Sequence, residues 1–242
     1  MIELRDVYKS FGDRHILQGM TFTVPKGENY VIMGPSGIGK SVTLKHVIGI
    51  LQPDAGQVSV GGLDVPSLTP RQLQDLRKRM GYLFQNGALL NWLTVAQNVA
   101  LPLREHARMA KSEIEDRVMR VLKLVGMDHA AADLPARISG GMKLRAGLAR
   151  ALITEPEYVL YDEPNAGLDP IMSDQIHNLI VEVRDRLGVT GLVVTHSKAC
   201  AFTVANRIGI VKTGYVLEEG TPEQMQNSAD PFVREFIGGG AD

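Results

Sequence analysis

The sequence is poor in cysteine and aromatic residues and has no long apolar run. One of 242 residues is cysteine, Cys200, and 5% are aromatic. A lone cysteine cannot form an internal disulfide, so a disulfide-stapled secreted domain is not predicted. A membrane-spanning helix needs about 20 mostly apolar residues, and the apolar stretch at residues 42–51 is interrupted by Lys45 and His46. The sequence therefore predicts no segment that crosses a bilayer.

An excess of charge of one sign is also missing. Lysine and arginine number 26 against 27 aspartate and glutamate, which leaves a formal net charge of -1. Such a chain has no global field that attracts polyanions, so no nucleic-acid partner is expected. Residues 1–6 include Glu3 and Asp6 and lack the apolar region of a signal peptide, so no targeting segment is predicted there.

The sequence does contain enough apolar residues, 44%, for a sizeable core. Alternating segments at residues 2–7 and 20–24 predict antiparallel strands. Compact apolar segments typical of buried parallel strands recur with helical patterns between several of them. They lie at residues 29–33, 80–84, 158–161, 191–195 and 207–211. These patterns predict an α/β fold with a mostly parallel sheet and an antiparallel β subdomain at the N-terminus.

The middle of the chain is different, because residues 93–154 show helical patterns and no strand pattern. We expect a helical subdomain inserted in the α/β core there. Residues 112–115, Ser-Glu-Ile-Glu, read as a capping box that starts one of its helices, and Gly126 as the end of that helix. At the other end of the chain, the glycines at residues 238–240 predict disorder.

A glycine-rich loop carries the strongest chemical signal. Its sequence matches G-x-x-x-x-G-K-[ST] between a predicted strand and a predicted helix at residues 40–51. The loop consists of Gly34, Pro35, Ser36, Gly37, Ile38, Gly39, Lys40 and Ser41. In such loops the backbone amides surround phosphate oxygens, the lysine reaches the β- and γ-phosphates, and the final hydroxyl binds Mg²⁺. The sequence therefore predicts a nucleotide phosphate site.

Two carboxylates follow the predicted strand at residues 158–161. Asp162 and Glu163 would lie at the carboxyl edge of the sheet, where open α/β sheets bind their ligands. Asp162 is predicted to hold Mg²⁺ through water, and Glu163 to polarise the water that attacks the γ-phosphate. Kinases, GTPases, helicases and transport ATPases share this pair of features, so the class of enzyme stays open at this point.

Ser139, Gly140 and Gly141 distinguish among these classes. This Ser-Gly-Gly run before a helical pattern resembles the signature of the ABC ATPase family. Taken alone it is also a good helix N-cap, but helix-start amides form an anion site as well. The resemblance implies that this site meets the γ-phosphate of ATP held by a partner subunit, in a head-to-tail homodimer. A GTPase or small-molecule kinase is disfavoured because the sequence has no guanine-reading Asn-Lys-x-Asp segment and because neither of those folds needs the Ser-Gly-Gly run.

The remaining motifs of the family occur in order along the chain. Phe11 matches the aromatic residue that stacks on adenine, although it could instead belong to the core. Gln85 matches the glutamine that contacts Mg²⁺ and the attacking water. Asp169 matches the key residue of the loop that makes the dimer contact. His196 matches the histidine that binds the γ-phosphate and holds the attacking water in line.

The resemblance implies how the chain is organised and where it works. Residues 1–242 would form a single ABC ATPase domain, with the core at 1–92 and 155–242 and the helical subdomain at 93–154. Its partners would be integral membrane permease subunits, at the cytoplasmic face of the inner membrane. Ile138, Met142, the Asn165-Ala166 pair and Ser197 depart from the usual family residues. None of these changes removes a phosphate ligand or Glu163, so ATPase activity is expected.

Within the family, residues 33–42, 83–90 and 139–142 look like the ATPase of Mla/Mce-type phospholipid transport systems. That resemblance implies a lipid cargo and an Mce-domain substrate-binding protein as a further partner. Other cargoes, such as amino acids or lipoproteins, and a non-transport ABC ATPase acting on nucleic acid remain alternatives. Trp92 and Leu90 lie in an apolar loop that either receives the permease or fills the core of the helical subdomain.

Overall fold

The protein is described here by a computed structural model covering residues 1–106 and 109–238. The strands within these ranges are β1 (Ile2–Phe11), β2 (Arg14–Val24), β3 (Asn29–Met33), β4 (Ala55–Val60), β5 (Leu63–Asp64), β6 (Met80–Leu83), β7 (Tyr158–Asp162), β8 (Thr190–Thr195), β9 (Arg207–Lys212) and β10 (Tyr215–Gly220). The α-helices are α1 (Lys40–Val47), α2 (Pro70–Arg77), α3 (Val95–His106), α4 (Lys111–Leu124), α5 (Gly140–Leu152), α6 (Pro170–Leu187), α7 (Lys198–Val204), α8 (Pro222–Gln226) and α9 (Pro231–Gly238).

The strands form two sheets. The N-terminal sheet is antiparallel, in the order β2-β1-β4-β5. The larger sheet has the order β10-β9-β3-β8-β7-β6, and all its strands except β10 run parallel. The predicted α/β class, with a mostly parallel sheet and an antiparallel N-terminal sheet, is confirmed.

Strand β3 lies at the centre of the molecule because it is buried on both faces. Val31 and Met33 pack into the cluster formed with the helices, whereas Tyr30 and Ile32 pack into the cluster beneath the N-terminal sheet. All four side chains are fully buried. Burying one large apolar side chain contributes about 1.5–3 kcal/mol, so β3 is a rigid base for the loop that begins at Gly34.

The region predicted to be helical contains α3, α4 and α5, and its described residues form no strand. The helices pack against one another, with most contacts between α3 and α5. The division of the chain at residues 93 and 154 stays a prediction. The predicted capping box at 112–115 is wrong, because α4 begins at Lys111 with Ala110 as N-cap and no side-chain cap bond. Gly126 does end this helix, with φ 68°.

Other segments differ from the sequence expectation in length. Helix α1 ends at Val47, well before residue 51, and Gly49 follows with φ 67°. The C-terminal segment, for which no helix was predicted, forms α8 and α9; apart from Gly238, the predicted disorder at 238–240 lies outside the described residues. Cys200 is fully buried in α7. None of the helices in the described ranges combines the length and apolarity that crossing a membrane requires.

Candidate functional site

The glycine-rich loop joins the carboxyl end of β3 to the start of α1. Gly37 and Gly39 have φ of 78° and 104°, in the left-handed region that side chains disfavour. A Cβ atom at Gly39 would lie 2.8 Å from Leu17 Cδ2, and one at Gly34 would lie 2.9 Å from the Val211 carbonyl oxygen. Glycine is therefore required both by backbone conformation and by the close approach of neighbouring elements.

Lys40 is folded back over this loop. Its Nζ donates hydrogen bonds to the carbonyl oxygens of Gly34 at 2.7 Å and Pro35 at 3.1 Å, and lies 3.7 Å from Glu163 Oε1. Its side chain is 6% exposed. Burial lowers the pKa of Lys40, and the charges of Glu163 and Asp162 oppose that shift. The positively charged ammonium group is thus held at the loop by two carbonyl oxygens and the nearby Glu163 carboxylate.

Asp162 lies beside Ser41 at the end of β7. Ser41 Oγ donates to Asp162 Oδ1 at 2.8 Å, and the Tyr82 hydroxyl donates to Asp162 Oδ2 at 3.0 Å. Burial, with the nearby Asp162 charge, raises the pKa of Tyr82, so this hydroxyl stays protonated and remains a donor. Sequence reasoning missed Tyr82. The structure therefore brings two oxygen groups predicted to bind Mg²⁺ into direct contact.

Glu163 has an unusual backbone conformation, with φ 48°. Its N–H donates to the Val194 carbonyl at 2.9 Å, which ties the turn after β7 to β8. A non-glycine residue in this region is strained by about 1–3 kcal/mol, and such strain clusters at functional sites. The conformation directs the Glu163 carboxylate toward the end of β8.

The end of β8 supplies the contacts of that carboxylate. Glu163 Oε2 accepts hydrogen bonds from Thr195 Oγ1 at 3.2 Å and from the His196 N–H at 3.3 Å, and lies 2.9 Å from His196 Nδ1. The Glu163 side chain is 15% exposed and that of His196 58%. Thr195 was not among the predicted site residues. Glu163 and His196, predicted from separate motifs, form one connected pair.

These groups border a cavity of about 490 Å³, called here the phosphate-loop cavity. It is lined by Phe11, Arg14, Ile16, Ser36, Gly37, Gly39, Lys40, Ser41, Val42, Gln85, Glu163 and His196. Phe11 is 50% exposed, so it is not a core residue. Arg14, Ile16 and Val42 were not predicted; Arg14 and Ile16 reach the cavity because β2 turns back along β1 after Phe11.

Gln85 follows β6 and borders the same cavity from a strained turn, in which Asn86 has φ 59° and Ala88 φ 44°. The turn packs closely on α5. Arg150 of α5 donates to the carbonyl oxygens of Gly87 and Ala88, at 2.8 Å each. Gln85, predicted to contact Mg²⁺ and the attacking water, is therefore linked through the turn that follows it to the helix that begins at the Ser-Gly-Gly run.

That run is not part of the phosphate-loop cavity of its own chain. Ser139 is the N-cap of α5 and accepts a hydrogen bond from Met142 N at 3.3 Å, and Ser139 and Gly140 are exposed. Asp169 is likewise exposed and caps α6, accepting from Met172 N at 3.0 Å. None of the four residues Ser139, Gly140, Gly141 and Asp169 lines the phosphate-loop cavity, which Lys40, Glu163 and His196 border.

Two of the departures from the family pattern have local explanations. Ser197, where the family has an acid, is the N-cap of α7 and accepts from Cys200 N at 3.2 Å. Met142 is half-buried and packs against the main core cluster. Neither side chain lines the phosphate-loop cavity.

Comparison with known proteins places this geometry in a family. The family model described as ABC transporter matches residues 17–166. A Mycobacterium tuberculosis H37Rv protein named probable ribonucleotide transport ATP-binding protein mkl is 41% identical over 238 residues, 98% of this chain and 66% of that protein. The chain thus spans slightly less than two thirds of that relative's length. The intermembrane phospholipid transport system ATP-binding protein MlaF of Escherichia coli K12 is 39% identical over 242 residues, 100% of this chain and 90% of that protein.

Two solved structures of ABC proteins have folds similar to that of this chain. The dimeric post-hydrolysis state of the ATP-binding cassette MJ0796 bound to ADP and Pi is 31% identical, with a TM-score of 0.83, covering 92% of this chain and 99% of that chain. CbiO1 of Clostridium perfringens, described as part of an ABC transporter complex, is 28% identical with a TM-score of 0.86, covering 94% and 90%. With a family model over more than half of its length and relatives of 39% and 41% identity along it, the chain belongs to the ABC transporter family.

Proposed function

We propose that two copies of this chain close head to tail around two ATP molecules and that hydrolysis drives a permease that moves phospholipid between membranes. One observation carries the dimer: each chain has a phosphate-loop cavity bordered by Lys40 and Glu163, and a separate exposed helix start at Ser139. A helix start with free amides is an anion site. Two copies arranged head to tail would supply each cavity with the helix start that its own chain does not bring to it.

Within such a site each residue has a distinct task. The loop amides and Lys40 bind the phosphates and neutralise their charge. The Glu163 carboxylate accepts a proton from the attacking water, and His196, in contact with Glu163 at 2.9 Å, aligns that water with the γ-phosphate. Because His196 is more than half exposed, a bound phosphate can reach it without displacing core residues.

The donor set fits Mg²⁺. A magnesium ion usually takes one or two protein oxygens, with phosphates and water as its other ligands. Ser41 Oγ and Asp162 Oδ1, 2.8 Å apart, are such oxygens, and Gln85 borders the same cavity. In the described residues no group of three or more histidine, cysteine or acidic side chains is arranged to hold a metal without a nucleotide. These residues would hold the ion, which shields phosphate charge when bound.

The proposal of a phospholipid cargo rests on the similarity of this chain to named relatives. A relative named for phospholipid transport aligns with 100% of this chain, whereas a relative of similar identity is named for ribonucleotide transport. The segments at 33–42, 83–90 and 139–142 favour the lipid system and, with it, an Mce-domain partner. The test is to co-purify the chain with its permease, reconstitute the complex, and follow ATP-dependent transfer of labelled phospholipid and labelled ribonucleotide in parallel. Phospholipid transfer that Glu163→Gln abolishes is expected; ATP-dependent movement of ribonucleotide alone would contradict the lipid proposal.

The loop after Gln85 is proposed to receive the permease. Trp92 is 74% exposed, so the alternative in which it fills the helical core is wrong, while Leu90 is half-buried. Buried Asn98 holds the loop by accepting from Leu90 N at 2.7 Å and donating to the Leu90 and Leu93 carbonyls at 3.1 and 3.0 Å. A large aromatic side chain on a rigid loop is typical of an interface anchor.

Trp92→Ala is therefore expected to weaken retention of the permease at least about tenfold, the size of a moderate interface anchor. The basal ATPase rate and melting temperature of the isolated chain should not change, because the side chain has few contacts to lose. Quantitative pull-down on the permease measures the effect. Ile50→Ala, which truncates another side chain exposed by 59%, is the control. Unchanged retention by the Trp92 variant would contradict the role of this loop.

Phe11 is proposed to stack on the base. Phe11→Ala should weaken ATP binding by about 1–3 kcal/mol, roughly 5- to 150-fold, because base–aromatic stacking contributes that much. GTP affinity should fall by a similar factor, since every base has a π-face, and Phe11→Tyr should bind normally. Titration calorimetry measures this, with Tyr8→Ala, at 46% exposure on the same strand, as control. ATP affinity equal to that of the parent would exclude stacking by Phe11.

A further inference from the structure

A second cavity, of about 630 Å³, lies near the amino ends of the parallel strands, where α4, α5 and α6 end. It is called here the α4–α6 cavity. The segment at Glu155 and Pro156 that borders it leads into the amino end of β7, whereas the phosphate loop leaves the carboxyl end of β3. The amino and carboxyl ends of parallel strands lie on opposite sides of the sheet, so this cavity is separate from the phosphate-loop cavity.

One side of the α4–α6 cavity is apolar. Leu152 and Ile153, at the end of α5, are 2% and 1% exposed, and Val121 and Leu124 of α4 are half-buried against the same core. Leu187, the last residue of α6, is 48% exposed at the rim. The volume is within the range of about 300–1,000 Å³ that is common for small-molecule sites.

The other side is basic. Arg117, Arg120 and Arg186 line the cavity against one carboxylate, Glu155. Arg117 Nε is buried and has no hydrogen-bond partner among the described residues. The carboxylates of Glu113 and Glu155 lie 3.6 Å from its terminal nitrogens, too far for hydrogen bonds. Arg117 is therefore ion-paired with both carboxylates but hydrogen-bonded to neither, and its side chain is 30% exposed, so its terminal N–H groups can donate to an anionic ligand in the cavity.

Arg120 adds a second positive charge on the same side of α4. It is exposed and makes no ion pair within the part of the chain described, whereas Arg186 is paired with Glu182 at 2.9 Å. Arg117 and Arg120 are three residues apart, as are Val121 and Leu124, so all four point from one helix face. Charge and apolar surface therefore lie next to each other along one face of α4.

We propose that the α4–α6 cavity binds an amphiphile with one anionic headgroup and an apolar chain. The headgroup, a carboxylate or phosphate, is held by Arg117 and Arg120, whose planar guanidinium groups match either acceptor in a two-point contact. The chain lies on Leu124, Leu152 and Leu187. Nothing in this assignment depends on the transport proposal, since it uses only contacts within one chain.

The test is calorimetric titration of the full chain with decanoate, decanol and acetate, with saturating ADP present so that the phosphate loop is occupied. Decanoate is expected to bind at least about tenfold more tightly than decanol, which lacks the charge, or acetate, which lacks the chain. Decyl phosphate is titrated in parallel. Tighter binding of decyl phosphate than of decanoate would indicate a phosphate headgroup, and the reverse order would indicate a carboxylate headgroup. Acetate binding as tightly as decanoate would reduce the site to an anion patch and overturn the proposal.

Variants locate the binding. Arg117→Gln with Arg120→Gln should weaken decanoate at least about tenfold, and Leu187→Ser should weaken it as well. Arg71→Gln, which changes an exposed arginine of α2 outside the cavity, should bind as the parent does. Melting curves establish that each variant is folded, and Arg120→Gln alone, at an exposed position, serves if the double variant is not. Decanoate affinity unaffected by the arginine and Leu187 changes would overturn the proposal.

Discussion

Glu163→Gln should stop turnover while leaving ATP bound. Glutamine keeps the shape of the side chain and one carbonyl oxygen to accept from Thr195 and the His196 N–H, so the turn after β7 is retained. It cannot accept the proton of the attacking water. Loss of a general base costs about 10²- to 10⁴-fold, and phosphate release should fall by at least that lower factor with ATP affinity changed only a few-fold.

The same variant tests the dimer, because ATP that bridges two subunits is then not cleaved and stabilises the closed form by mass action. Light scattering after gel filtration with ATP and Mg²⁺ should show a dimer that dissociates when ATP is removed. The matched control is Glu157→Gln, which changes the surface carboxylate paired with Arg79 at 2.8 Å just before β7. Hydrolysis by Glu163→Gln at the parental rate would mean that another group is the base.

Lys40→Ala should lose ATP binding itself. The change removes a buried ammonium group and leaves the Gly34 and Pro35 carbonyl oxygens without their donor. Charge-assisted hydrogen bonds to phosphate contribute about 1.5–3 kcal/mol each. With more than one such bond lost, ATP affinity should fall about 100-fold or more.

Adenosine provides the internal comparison, because it has no phosphate and its affinity should not change. Lys45→Ala, at an exposed position on the same helix, controls for the loss of a lysine from α1. Calorimetry with ATP and adenosine measures both. If Lys40→Ala binds ATP as the parent does, the lysine has no phosphate role.

The sequence was most informative where function requires a local pattern. The phosphate loop needs glycine at position 39 because of a φ of 104° and the nearby Leu17 side chain. Such a requirement is recognisable as a contiguous motif in the sequence. β3 was predictable for a similar reason. Burial on both faces requires a continuous apolar segment.

The residues that were missed depend on contacts distant in sequence. Tyr82 reaches Asp162 because β6 lies beside β7, although 80 residues separate them. Thr195 reaches Glu163 from the next strand, and Arg14 enters the cavity by a hairpin. No short segment shows these neighbours, since strand order is set by the packing of the whole sheet. The left-handed backbone of Glu163 is equally invisible, because glutamate has no preference for it.

The capping box failed for a different reason. Residues 112–115 have a suitable composition, but a helix can begin at any residue whose first turn is satisfied. Here α4 starts two residues earlier, at Lys111 instead of Glu113, and Lys111 Nζ lies 3.8 Å from Glu115 Oε1 across the first turn. A local pattern predicted the helix correctly and its first residue incorrectly, which is the usual precision for helix ends.

The environment of Cys200 has a practical consequence for labelling. Cys200 lies in α7 with its side chain fully buried in the core, and burial raises the pKa of its thiol to about 12. Almost no thiolate therefore forms at neutral pH. Maleimide reagents should leave the folded parent chain unmodified. A cysteine introduced at Ser139 or Asp169 would then be the sole reactive thiol, and a fluorophore attached there would report directly on the approach of a second copy.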